Sequence, residues 1–525
     1  MVWGMSEALD VEAILGQARD QERAYDWIGA VESYKKVQGL VSETDFLKTG
    51  QVQERIGYAL YRAAMQAESV EQFGERMHEA VANYEKANEF YERFGEPGKT
   101  PRMLRCDAMI AYLGYWLAPE VPEKRRLLDK CWQRTKEALK AFEEAGDKLE
   151  YGKTYNQLSS SAYQLFALEW DFGASPKIMG KALEYGEQTI TLLSNAGDAF
   201  ELARAYAKTD HYLSMFGWYF IPEIDEKEKY YQKSRDYWQK ANEFSEEAAL
   251  LELLSVSDYS LADFLSVDAI LELYEKALGC AEKTKDKYLI GTAMDMLAYA
   301  NFWKASGVED PDKRMETYRK ALQYAEDANH QFSSISYVSP RNCSLWTGAP
   351  HAEYCQELAL WETDLRKRRE LLEKAVMDGT QAIMQAESTG YPEIVWLANH
   401  VLSKALVSLA QIETNPEEKK SLLEKALEHR NETIRISEQF GFFVYWDFGW
   451  NWNYLADLKA ELSNLEKNSE NRKNLLEGAI SDKERGLQLI IKVVLYYEKR
   501  GVLTYFAALG GYQYSLGELF NRLHG

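Results

Sequence analysis

The sequence predicts an all-α protein, an array of about ten antiparallel helix hairpins repeating every ~51 residues. Three observations predict it. Pro is scarce (11 of 525 residues) and Gly moderate (32), which suits helix. A pattern of small, variable and small residues at steps of four and three recurs along the chain, often closing on Gly. A second helical stretch lies between successive copies, as in 148–170 and 392–413.

Taken in order, a loose first copy starts at Ala30. Ala80, Tyr84 and Ala87 then lead to Gly95, Cys131, Thr135 and Ala138 to Gly146, and Ala182, Gly186 and Thr189 to Gly197. Looser copies start at Ser234, Ile270 and Arg314. Regularity returns with Ala375, Gly379 and Ala382 before Gly390, and with Ala426, Arg430 and Thr433 before Gly441. A last loose copy begins at Ala479. Three regions follow: regular repeats over 1–233, irregular repeats over 234–374 with an insertion at 330–350, and regular repeats over 375–525 ending in an unpaired helix.

Steps of four and three return to one helix face, where small side chains let another helix come close. Gly supplies the left-handed residue that ends a helix. Acid and Pro gather before these helices, as in PEVPEKRR (119–126), DPDKR (310–314) and NPEEKK (415–420). That chemistry suits a helix N-terminus and its dipole. Each hairpin has an apolar face that it cannot bury alone, so neighbours must stack.

On these residues the chain resembles the tetratricopeptide-repeat superfamily, in a long-helix variety. Tyr445, Phe448-Gly449 and Trp452 match that family's first helix, helix A, as do Ile394, Leu397-Ala398 and Val401 one unit earlier. The small-residue trio matches its second, helix B. The spacing from one small position to the next, about 28–30 residues, exceeds the family's own, so both helices are lengthened. The resemblance implies a right-handed superhelix with helices A lining a concave, partner-binding surface. By family register that surface carries Tyr151, Tyr155, Leu202, Tyr206, Val395, Asn399, Trp446 and Trp450.

The net charge of −21 repels phosphate backbones, so nucleic acid is not expected as a partner, and a basic or polar protein segment is. Five scattered Cys give no disulfide framework, and no apolar run is long enough for a membrane span. A cytoplasmic protein without cofactor follows. Asp171-Phe172-Gly173 and Asp447-Phe448-Gly449 spell a kinase tripeptide, but the Gly-rich loop, strand lysine and catalytic loop are missing. No catalytic residue is assigned. Cys343, His351 and Cys355, with His330 upstream, have metal-ligand chemistry but match no zinc spacing, so no metal site is assigned either. Trp116, Trp170, Trp218, Trp303 and Trp361 recur near the ends of helices A and are expected to pack under the hairpin turns.

The reading that results is a non-enzymatic interaction scaffold. Two alternatives remain open. One is the sensor or regulatory array of a larger signalling protein, since 500–525 reads as a helix A without its partner and offers a self-association face. The other is an α/α-toroid glycosidase using Asp171 and Asp447. The stretch GFFVYWDFGWNWNYLADL (441–458) divides by helical angle into a packing stripe (Tyr445, Phe448, Trp452, Leu455) and a second arc (Phe442, Phe443, Trp446, Trp450, Tyr454), either a binding patch or a face covered by the terminal repeats.

Overall fold

Short polar side chains start the helices. Asp26, Asp45 and Ser69 accept hydrogen bonds from the backbone N–H of Gly29, Lys48 and Gln72, which otherwise lack partners in a first turn. Asp310, Asp364, Asn415 and Asn468 do the same ahead of four later helices. Gly146 ends its helix at φ +72°, the left-handed residue expected there.

A computed structural model describes residues 2–42, 44–94, 99–168, 175–195, 199–221, 224–247, 267–335, 349–389, 392–440, 445–498 and Leu519. Its first helices are α1 (Val2–Arg23), α2 (Trp27–Leu40), α3 (Phe46–Ala64), α4 (Val70–Arg93), α5 (Lys99–Leu117) and α6 (Val121–Ala145). Next come α7 (Lys148–Leu168), α8 (Ser175–Ser194), α9 (Ala199–Phe220), α10 (Ile224–Glu247), α11 (Val267–Thr284), α12 (Lys287–Gly307) and α13 (Pro311–Ser334). The last are α14 (Ala349–Trp361), α15 (Leu365–Thr389), α16 (Pro392–Ile412), α17 (Pro416–Phe440), α18 (Tyr445–Leu465) and α19 (Ser469–Glu498). Among the described residues there is no strand, and no helix is long and apolar enough to cross a membrane. Of the 500–525 segment only Leu519 is described, and Asp171 and the 336–348 stretch of the insertion lie outside the described residues.

The small-residue trios are the seams between helices. All fifteen trio residues of the five clean copies are buried, from Ala80, Tyr84 and Ala87 to Ala426, Arg430 and Thr433. The backbones approach closely there: a Cβ on Gly186 would stand 2.3 Å from Thr209 Oγ1. Helices A meet one repeat apart through polar pairs. Arg105 of α5 binds Glu54 of α3 and Glu150 of α7, and Asn156 of α7 bonds Lys208 of α9. Residues about one period apart in sequence therefore stand side by side, as stacked repeats require.

Two compact units are distinguished. Unit 1 comprises Met1–Glu169, Gly173–Ala300 and Asp327–Val338; unit 2 comprises Trp170–Phe172, Asn301–Glu326 and Ser339–Gly525. The sequence limits at 234 and 375 describe the regularity of the repeat, which is a different property. Within unit 1 the array returns on itself. The α3–α4 turn touches the α11–α12 turn: Lys287 N–H donates to Met65 C=O at 2.8 Å, and Gln66 Nε2 to Thr284 C=O at 2.7 Å. Buried Arg62 and Asp286 face each other at 3.6 Å, and Trp116 meets Tyr288 edge-on.

Of the recurrent Trp residues, Trp116 is buried as expected. Trp361 is not: it is 39% exposed at the end of α14, with the Arg314 guanidinium 4.1 Å over its ring. It serves as a platform for a cation and not as packing under a turn. The side chains of Trp170, Trp218 and Trp303 lie outside the described residues.

Candidate functional site: a buried arginine under aromatic residues

One position of the repeat breaks its own rule. The middle of the helix-B trio is Tyr84, Thr135, Gly186 and Gly379 in four copies, and Arg430 in the fifth. That position faces helix A, so the repeat carries a guanidinium into a helix–helix seam. Arg430 is 1% exposed. No carboxylate pairs with it among the described residues. Its NH1 group donates to Asn451 Oδ1 and lies 2.9 Å from His400 Nδ1, and NH2 reaches His400 C=O at 3.3 Å. Two donors in the cluster, Arg430 Nε and Asn451 Nδ2, have no acceptor among the described residues.

Aromatic rings cover this floor. The guanidinium lies 5.1 Å from the ring centre of Tyr454, which is 38% exposed. His400 stacks on Trp396 at 5.7 Å and meets Tyr454 edge-on at 6.3 Å. Trp450 lies 6.4 Å from Tyr454. Beside them His429 Nδ1 is 2.7 Å from Asn399 Oδ1, and Trp396 Nε1 donates to Ser437 at 2.7 Å.

Burial, with Arg430 and Lys404 nearby, pushes His400 well below its ordinary range, so it is neutral at pH 7. Its Nδ1 also lies 2.8 Å from Asn451 Oδ1, so it accepts from Arg430 or donates to Asn451 according to tautomer. Burial lowers Arg430 to about 10, which still leaves it charged. Lys404 is neutralised separately by Glu357 at 2.8 Å and Glu353 at 3.6 Å. The one local charge without a counter-charge among the described residues of this cluster is positive.

The eight residues expected on the concave surface fare differently. Asn399 and Trp450 belong to this cluster, Asn399 as a buried wall and Trp450 as a half-buried ring. Val395, half-buried, is the turn of α16 before Asn399, whose amide donates to its carbonyl. The Trp446 side chain lies outside the described residues. Tyr151 and Tyr155 are half-buried, in unit 1, and form an edge-on pair at 5.1 Å. Leu202 and Tyr206 correct the expectation. They are 6% and 7% exposed, inside a core with Ile190, Leu193 and Ala241. The lengthened helices let α10 cover them: Tyr237 meets Tyr206 at 5.3 Å. They offer no surface to a partner.

Sequence reasoning missed Trp396, His400 and Asn451. Arg430 was visible as a charge in a seam of small residues and was the available signal.

Trio seams, helix-A ladders and hairpin order together decide the architecture. The described residues form an array of stacked antiparallel helix hairpins. No family model and no curated protein matches the chain. Solved structures with a similar fold include a Rap protein complexed with Competence and Sporulation Factor (12% identity, 87% of this chain and 99% of that one, TM-score 0.34). Another is a STAND protein with a tetratricopeptide repeat sensor from Pyrococcus horikoshii (16%, 80% and 55%, TM-score 0.40), of which this chain spans about half. A third is the human IFIT1 dimer with m7Gppp-AAAA (15%, 90% and 88%, TM-score 0.33). These values describe a shared kind of helical array and no more.

Proposed function

We propose that this tetratricopeptide-repeat-like chain is a non-enzymatic interaction scaffold. It holds a peptide or partner segment on the aromatic face of α16–α18, where Arg430 and Asn451 meet an oxygen acceptor brought by that segment. The observation that carries the reading is the buried guanidinium, whose Nε and whose neighbour Asn451 Nδ2 have no acceptor among the described residues. Burying a charge costs several kcal/mol unless hydrogen bonds and a counter-charge offset it. A carbonyl or carboxylate offered by a partner supplies both, and half-exposed Trp and Tyr residues give it flat apolar contact at low entropic cost. The overall charge of −21 favours a partner that is basic or polar elsewhere. Contact through an acceptor at Arg430 is compatible with that balance.

The test compares wild type with Arg430→Met and with Asn451→Asp in capture of binding partners at equal protein concentration. Met removes the charge and keeps the volume; Asp supplies an internal counter-ion. Both variants are expected to fold, with melting temperatures at or above that of wild type, and to lose the captured partner. Asp447, one helical turn before Asn451, provides the control: Asp447→Asn should leave melting and capture unchanged. Capture that survives both Arg430 and Asn451 substitutions overturns the reading, as does a fall in stability with Asp447→Asn that exposes an existing counter-ion.

A further inference from the structure

In the sequence His351 and Cys355 are accompanied by Cys343 and His330, at no known zinc spacing. The structure supplies a different third donor, from the next helix. Spaced by four residues in α14, the two side chains share a helix face. Asp378 of α15 comes up opposite them. One ligand atom from each of the three lies within 4.8 Å of the others. His351 Nδ1 is 2.7 Å from Asp378 Oδ2. Cys355 is fully buried, and its back packs on Ala352, Ala375 and Val401, which makes a dry wall behind the sulfur.

We propose that His351, Cys355 and Asp378 form a site for a divalent transition metal of the zinc class. The inference stands independently of the Arg430 site.

Three features carry it. The donor set is one imidazole nitrogen, one sulfur and one carboxylate oxygen, which suits Zn2+ and disfavours Mg2+ or Ca2+, both of which want oxygen alone. The spacing is close to that of a tetrahedral shell, in which bonds of about 2.0–2.3 Å place neighbouring ligand atoms roughly 3–4 Å apart. Closing the cluster takes side-chain shifts on the order of 1 Å. The outer contacts are those of a ligating imidazole. With Nδ1 toward the metal, Nε2–H points at Glu326 Oε1, 3.3 Å away, and Lys374 holds that carboxylate at 3.1 Å. A carboxylate on the far nitrogen fixes the tautomer and raises the basicity of the ligating one. On coordination the Cys355 thiol passes its proton to solvent and the sulfur binds as thiolate. Three protein ligands leave a fourth position for water or another small donor.

The test uses the full chain, stripped with a chelator, kept in a non-thiol reductant and titrated with Co2+. One equivalent is expected to bind, with a near-ultraviolet thiolate-to-cobalt charge-transfer band that Zn2+ abolishes by displacement. Cys355→Ser should lose that band. Should its metal-free form not melt like wild type, Cys355→Ala, matching the Ala residues around it, takes its place. His351→Gln and Asp378→Asn should bind at least tenfold more weakly. Glu326→Gln, which touches no metal, should keep the band and weaken binding about 10–100-fold. Cys343→Ser should bind as wild type does. No cobalt bound, a spectrum without the thiolate band, or a band that follows Cys343 in place of Cys355 overturns the site.

Discussion

Arg430 and Asp295 are both buried ionisable groups, and they meet burial in opposite ways. Arg430 keeps its charge and lacks an acceptor at Nε. Asp295, 4% exposed in α12, has an unpaired Oδ1, and burial raises its pKa well above the ordinary carboxylate value. The folded chain therefore holds the Asp295 proton where the unfolded chain releases it. This contribution to stability is complete below about pH 4 and is lost as pH rises toward the folded value. Asp295→Asn should remove the dependence. By urea unfolding, the variant should gain on wild type as pH rises from 4 to 8, reaching on the order of 1–3 kcal/mol. A constant difference across that range would show that Asp295 is already ionised in the folded protein.

At the scale of the element, the tripeptide Asp447-Phe448-Gly449 has a packing explanation. Gly449 sits where α18 crosses α19: a Cβ there would lie 2.6 Å from Ile490 Cγ1 and 3.2 Å from the Gly486 carbonyl oxygen. The glycine is a close-approach residue of helix A. Gly449→Ala should cost about 1–3 kcal/mol by overpacking, read as a lower denaturation midpoint with an unchanged slope. Where its side chains are described, the same helix follows the division of its residues into two arcs. Trp452 and Leu455 are buried at 8% and 3%, whereas Tyr454 is 38% exposed and Trp450 half-buried. Periodicity sufficed there because these four residues lie on one helix. It failed for Leu202 and Tyr206, which are enclosed between α8 of the preceding repeat and α10 of their own.

At the scale of the whole molecule, the return contact inside unit 1 joins segments over 200 residues apart in sequence. Asp286 does two things there. Its carboxylate faces Arg62 and caps α12 by accepting from Tyr288 and Leu289 N–H. Asp286→Ala leaves a buried guanidinium without that partner and a helix start without its cap. The expected loss is roughly 3–5 kcal/mol. Hydrogen exchange should quicken at both 62–68 and 284–290. Faster exchange at 284–290 alone would reduce Asp286 to a helix cap.

The sequence by itself determined the hairpin array, the helix starts and the seams. These follow from short-range physics: small residues at steps of four and three, Asp or Asn ahead of a helix, Gly at its end. It also named three members of the Arg430 cluster, Asn399, Trp450 and Tyr454, because helical register carries that far. Only the tertiary structure decided the rest. It joined His400 and Asn451 across Arg430, brought Asp378 to His351 and Cys355, and folded the α11–α12 turn back onto the α3–α4 turn. Those contacts join helices that are not local in sequence. Their geometry depends on how each long helix packs on the next, which local propensity and periodicity do not specify.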